Sequence, residues 1–223
     1  MTTTSNSINL TGLAASTTYD VYVKAACSEA DQSAWSNVTS FTTSCGIVSL
    51  PFSENFNSLV SGIPTCWDNS MGTTTTDSYK WNYYATGYSG AGLRFNSYVN
   101  SNGLINYLKT PSIYLSESAR LSFMYKNPTG GDFSVYISTD NGATMTALAT
   151  GLTGQSTWTS RTINLSAYTS QTVKIIFKGT SNYGNGDAYV YLDNVVVEEN
   201  PTCFPPTAIT ASNITSTTAD LAW

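Results

Sequence analysis

Histidine is absent from the 223 residues, and charge is scarce: 14 acidic and 9 basic side chains amount to 10% of the chain, well under the usual quarter. Without imidazole there is no Ser-His-Asp or Cys-His catalysis and no His-ligated zinc. The net charge is -5 and the nine cations are scattered singly. Duplex nucleic acid needs several phosphate-neutralising side chains on one face, so it is not an expected partner. The longest apolar run is Val195-Val196-Val197 with its immediate neighbours, too short to insert in a membrane as a helix. No basic segment leads into an apolar stretch behind Met1, so no secretion leader is read there. Only four cysteines occur, Cys27, Cys45, Cys66 and Cys203, and none forms a CxxC pair. An even count without metal-ligand spacing suggests disulfides and an oxidising compartment, with three pairings open.

What remains is apolar enough to fold. Hydrophobic residues reach 41%, and aromatics 13%, led by 15 tyrosines; disorder needs the opposite balance. Apolar residues recur at period two: Tyr19, Val21 and Val23; Leu121, Phe123 and Tyr125; Phe133, Val135 and Ile137; Val173, Ile175 and Phe177. That spacing puts alternate side chains on one face of a strand. Turn formers such as Asn102-Gly103, Gly130-Gly131 and Asn141-Gly142 separate the runs. Many short antiparallel strands spaced in this way define an all-β sandwich or jelly roll.

The ends differ from the middle. Leu13, Thr17 and Tyr19, followed by Val21, Val23 and Ala25, resemble the second half of a fibronectin type III domain, with Ala15 where that family usually has proline. The resemblance implies a corner tyrosine at Tyr19 whose hydroxyl bonds back to the chain, and strand-like runs over 7–10, 19–25 and 37–43. Residues 203–223 resemble the start of the same fold, with strands near 208–214 and around Ala219, Leu221 and Trp223. Neither piece supplies the central strands, so the two fragments are expected to meet, within one chain or head to tail between chains.

Residues 45–199 carry six short segments in order: Phe52 to Asn57, Pro64 to Trp67, Leu108 to Pro111, Leu121 to Tyr125, Trp158 with Ile163 to Leu165, and Tyr191 to Val195. Together they resemble the MAM domain and the cleaved-adhesin domains of gingipain-type bacterial proteins. The resemblance implies a MAM-like jelly-roll β-sandwich over 45–199, flanked by partial fibronectin-like pieces over 1–44 and 200–223. It also implies a calcium ion joining the first strand to the last. Asn57 stands where the family has a Glu and Asp193 at the first Asp of the closing motif, with Glu54 and Asp77 nearby. Cys45 and Cys66 flank the opening strand, which suggests a bridge between them worth roughly 3 kcal/mol. Cys27 would then pair with Cys203.

Three further motifs bear on function. Ser138 to Thr144 reads S-x-D-x-G-x-T, the Asp box common in sialidases, but one box without an arginine triad is a hairpin device. Glu29 and Asp31 have a glucanase-like spacing without a third acid, and Glu198-Glu199 reads as a solvated strand end; a glycosidase needs two acids in register, so no enzyme is expected. The segment from Lys80 to Tyr107 is dense in aromatics. Trp81 is expected in the core. Tyr84, Tyr88 and Tyr98, set among Asn, Ser and Gly, are candidates to stack against sugar rings. The sequence thus points to a non-catalytic adhesion or structural repeat of a secreted bacterial surface protein, with neighbouring modules, copies of itself or glycans as partners. A carbohydrate-binding module attached to a secreted enzyme is the alternative.

Overall fold

The computed structural model describes residues 2–71, 80–97, 101–128, 132–185, 189–202 and 209–222. Among the described residues strands β1 (Thr18–Val21) and β2 (Thr39–Thr42) pair only with each other. The central strands are β3 (Val48–Ser49), β4 (Phe52–Glu54), β5 (Asp68–Met71), β6 (Asn82–Tyr84), β7 (Gly92–Asn96), β8 (Ile105–Lys109) and β9 (Ile113–Tyr114). They continue with β10 (Ala119–Asn127), β11 (Phe133–Ser138), β12 (Thr146–Ala149), β13 (Gln155–Asn164), β14 (Thr172–Thr180) and β15 (Tyr189–Glu199). A last hairpin joins β16 (Thr210–Ser212) to β17 (Asp220–Ala222).

The central strands form two sheets. One runs β13-β10-β15-β7-β6 with β4 on β15; the other runs β12-β11-β14-β8-β5 with β9 on β14 and β3 parallel to β9. Period-two patterning sets the faces. In β10 Leu121, Phe123 and Tyr125 are buried, while Arg120, Ser122, Met124 and Lys126 between them are half-buried. The buried faces interlock through aromatics: Phe123 of the first sheet meets Phe177 and Phe133 of the second at 5.4 and 6.3 Å between ring centres. Trp81, 1% exposed, meets Phe95 and Phe133, both at 5.8 Å. The sheets approach closely enough at Gly179 that a Cβ there would lie 2.8 Å from the Phe95 ring.

Cys45 and Cys66 form a disulfide that closes the loop around β3 and β4. Cys27, expected to bridge to Cys203, is a free, exposed thiol. Cys27 sits in a turn closed by its own backbone, its N–H and that of Ser28 both donating to the Asp31 carbonyl; Cys203 lies outside the described residues. At the N-terminal hairpin the Ala14 N–H donates to the Tyr19 hydroxyl at 2.8 Å, and the Tyr19 ring stacks on Phe41. The expected strand over 7–10 is absent, and the run beginning at Tyr19 leaves the ladder after Val21. Among the described residues the two end fragments do not pair within the chain: β1-β2 and β16-β17 are separate sheets. Each closes its own hairpin, and Trp35 and Leu221 stay about 60% exposed. Among the described residues no helix is long and apolar enough to cross a membrane.

Candidate functional site

The outer face of the sheet containing β10 and β15 carries a continuous aromatic surface. Register builds it. Lys126 on β10 pairs with Tyr191 on β15, which pairs with Arg94 on β7, which pairs with Asn82 on β6. Paired residues on neighbouring antiparallel strands project from the same face, so these four form a row across the sheet. Trp158 on the edge strand β13 extends the row: its ring centre lies 6.0 Å from that of Tyr191, edge to face. Tyr84, two residues beyond Asn82, lies 5.2 Å from Tyr191. Tyr189 lies 5.8 Å from Tyr191, and Tyr88, from the turn between β6 and β7, lies 6.1 Å from Trp158. Tyr88 is 52% exposed; the other rings are half-buried.

Two cations are threaded through these rings. The Arg94 guanidinium lies 4.5 Å from the centre of Tyr189 and 4.9 Å from that of Tyr84. The Lys126 ammonium lies 4.3 Å from Tyr191 and 5.8 Å from Trp158. Among the described residues the ion pairs are Lys109 with Asp68, Arg120 with Glu198, and Lys178 with Asp132; neither cation of the aromatic face takes part.

The turn that presents Tyr88 is pinned from below. Asp193 follows the aromatic row on β15, where a bulge shifts the register against β10 between Ser122 and Met124. Its Oδ2 accepts the N–H groups of Tyr88 at 2.7 Å and Ser89 at 3.2 Å, and its Oδ1 accepts that of Asn194 at 2.7 Å. Asn57 Oδ1 accepts the Ala91 N–H at 2.8 Å. Two glycines make the approach possible. A Cβ on Gly87 would come within 2.5 Å of both the Ala91 carbonyl and Asp193 Oδ2, and one on Gly90 would collide with Asn57 Oδ1. Burial pushes the Asp193 carboxyl above its ordinary range, against the pull of its three N–H donors.

This arrangement bears directly on the expected calcium ligands. The carboxylate oxygens of Asp193 and the amide oxygen of Asn57 are directed at backbone N–H groups, and Glu54 Oε1 accepts the Phe56 N–H at 2.7 Å. Among the described residues no cluster of three or more His, Cys, Asp or Glu could hold a metal ion, whereas calcium needs six or more oxygens free to face it. In this structure these oxygens serve backbone donors. Asp77 lies outside the described residues.

Of the three tyrosines expected to bind sugar, Tyr84 and Tyr88 join the aromatic face, and Tyr98 lies outside the described residues. Sequence reasoning missed Trp158, Tyr189, Tyr191, Arg94 and Lys126. The alternation of Tyr189 and Tyr191 against buried Val190 and Leu192 was the available signal.

The remaining motifs are accounted for by structure. In the Asp box, Asp140 accepts the Thr144 N–H at 2.8 Å, the Thr144 hydroxyl at 2.7 Å and the Ser138 hydroxyl at 2.7 Å. These bonds hold its pKa down at about 2 and close the turn from β11 to β12. Glu198 is not a bare strand end, because Arg120 donates to it through Nε and Nη2. Glu29 and Asp31 stay in the exposed turn at Cys27.

No protein-family model matches the chain, and no curated protein matches it. Solved structures share its fold. The K1 cleaved adhesin domain of Lys-gingipain from Porphyromonas gingivalis superposes with a TM-score of 0.53 at 22% identity, covering 68% of this chain and 99% of that domain. The K3 domain gives 0.53 at 21% identity over 67% and 98%, and the K2 domain 0.52 at 17% over 66% and 98%. The central β-sandwich therefore has the fold of the gingipain cleaved adhesin domains.

Proposed function

We propose that this chain is a non-catalytic adhesion module of an extracellular protein, and that its aromatic sheet face binds carbohydrate. The carrying observation is the set of five rings, Tyr84, Tyr88, Trp158, Tyr189 and Tyr191, in mutual contact on one face. A pyranose ring offers an apolar C–H face to a stacked aromatic and a rim of hydroxyls to polar neighbours. Covering about 100 Å² of apolar surface contributes roughly 2.5 kcal/mol, so two or three stacked sugars give useful affinity. The rings are held by one another and by the cations beneath or beside them. Little side-chain freedom is therefore lost on binding.

Two observations support the wider reading. The fold is shared with domains that are themselves adhesins, and the Cys45–Cys66 bridge suits an oxidising, extracellular setting. The exposed Tyr22, Val23 and Trp35 at one end, and Ile209, Ile214 and Leu221 at the other, suit contact with neighbouring modules of an array. Affinity electrophoresis through gels containing neutral and acidic polysaccharides tests the binding claim. At least one polysaccharide should retard the protein, and Trp158→Ala or Tyr84→Ala should abolish the retardation while the fold survives. Retardation unchanged in both variants would remove the aromatic face from the account.

A further inference from the structure

We infer that the sugar held on this face is acidic: a uronic-acid oligosaccharide whose carboxylates meet Arg94 and Lys126 on either side of Tyr191. The inference rests on the carbohydrate-binding reading and names its ligand class. Register places the two cations on β7 and β10, the strands that flank β15, and both are in line with Tyr191. Strands lie about 4.8 Å apart, so the backbones that carry the two cations stand roughly 10 Å from each other, with Tyr191 between them. One short oligosaccharide spans that distance.

The same sheet carries its own control. Arg120, on the same strand and alternation as Lys126, is opposite Glu198 and donates to it at 3.0 and 2.7 Å. The sheet thus neutralises a cation at one end with a cross-strand acid. At the aromatic end, the register partner of both Arg94 and Lys126 is an uncharged tyrosine. Among the described residues no ion pair involves either cation; Asp187 lies outside them. Asp193, the nearby acid on β15, directs both oxygens at backbone N–H groups.

The net charge of -5 opposes an anion at long range, but screening at physiological salt confines charge effects to about 8 Å. Among the described residues the charged side chains of the row itself are these two cations. A carboxylate suits them better than a sulfate ester. In a hexuronate the carboxyl group leaves the ring edge close to the ring plane. A sugar stacked flat on Trp158 therefore turns its carboxylate sideways, toward the neighbouring strands. A guanidinium whose faces lie against rings keeps its planar N–H edge free, and that edge matches a carboxylate bidentately.

Calorimetric titration of the full chain tests this. The probes are trimers of galacturonate, glucuronate and mannuronate, a neutral galactose trimer, and the same neutral trimer carrying sulfate. At least one uronide should bind ten-fold or more tighter than the neutral trimer, with the difference shrinking as salt is raised. Arg94→Met and Lys126→Met should each weaken uronide binding about ten-fold, with Arg120→Met unchanged. Thermal melts check that each variant is folded. Equal binding of uronide and neutral sugar, or preference for the sulfated sugar, would overturn the inference and leave the aromatic face as a glycan site. Binding of none of the probes, together with no retardation by any polysaccharide, would overturn both.

Discussion

The Tyr88 N–H donates to the Asp193 carboxylate at 2.7 Å, across 105 positions of sequence. Through that bond, and the companion bond from Ser89, the closing strand of the sandwich sets the height at which the Tyr88 ring meets Trp158. Asp193→Ala would leave three N–H groups without acceptors in a partly buried place. Each such loss costs about 1–3 kcal/mol, so the variant is expected to melt well below the wild type. Asp193→Asn, which keeps the shape but brings an N–H against N–H groups, should also weaken glycan binding, through Tyr88, more than it lowers stability. Wild-type affinity in a folded Asp193→Asn protein would contradict this role.

Metal removal is expected to do nothing. Glu54 Oε1, Asn57 Oδ1 and both oxygens of Asp193 accept backbone N–H groups, which hold them in place without an ion. EDTA should leave the melting temperature within a degree of its value in calcium. A drop of several degrees, reversed by calcium, would show that these oxygens turn toward an ion.

Acid should open the hairpin between β11 and β12. The pKa of Asp140 lies at about 2 in the folded protein, below the ordinary aspartate value near 3.9. A depressed folded pKa contributes stability that is complete above the unfolded value and is lost as pH falls through the folded one. The wild type should therefore melt above Asp140→Ala at pH 6, and the gap should narrow between pH 4 and pH 2. A gap independent of pH over that range would mean that Asp140 acts by shape alone.

The disulfide sets a fourth expectation. Cys45 and Cys66 are 21 positions apart, and closing a loop of that size stabilises by roughly 3 kcal/mol in the chain-entropy model. The double Cys45→Ser, Cys66→Ser variant should lose about that much in denaturant titration. Unreduced protein should still take up an alkylating agent at Cys27, the exposed thiol. A blocked Cys27 in unreduced protein would restore the pairing that the structure lacks.

The fold was legible where burial follows a local period. Leu121, Phe123 and Tyr125, then Phe133, Val135 and Ile137, and later Val173, Ile175 and Phe177, are all buried, as alternation requires. The run over 7–10 alternates too, but forms no strand because no neighbour supplies its ladder bonds; a strand is a property of two segments. The site was half legible for the same reason. Tyr84 and Tyr88 stand out as aromatics in a polar stretch, whereas Trp158 and Tyr191 reach them only through register set by β10 and β15. The calcium expectation turns on chemistry that sequence does not carry. An Asp that accepts three backbone N–H groups is written with the same letter as one that ligates a metal.

The most direct test of the carbohydrate-binding face is a two-dimensional 1H–15N titration that follows the tryptophan indole N–H signals as oligosaccharides are added. Trp158 lies on the aromatic face, Trp81 in the core and Trp35 in the N-terminal segment between β1 and β2. A bound sugar should move the Trp158 signal in a saturable way and leave those of Trp81 and Trp35 in place. A ligand that shifts Trp35 alone, or a neutral and acidic glycan panel that never moves Trp158, would contradict the account.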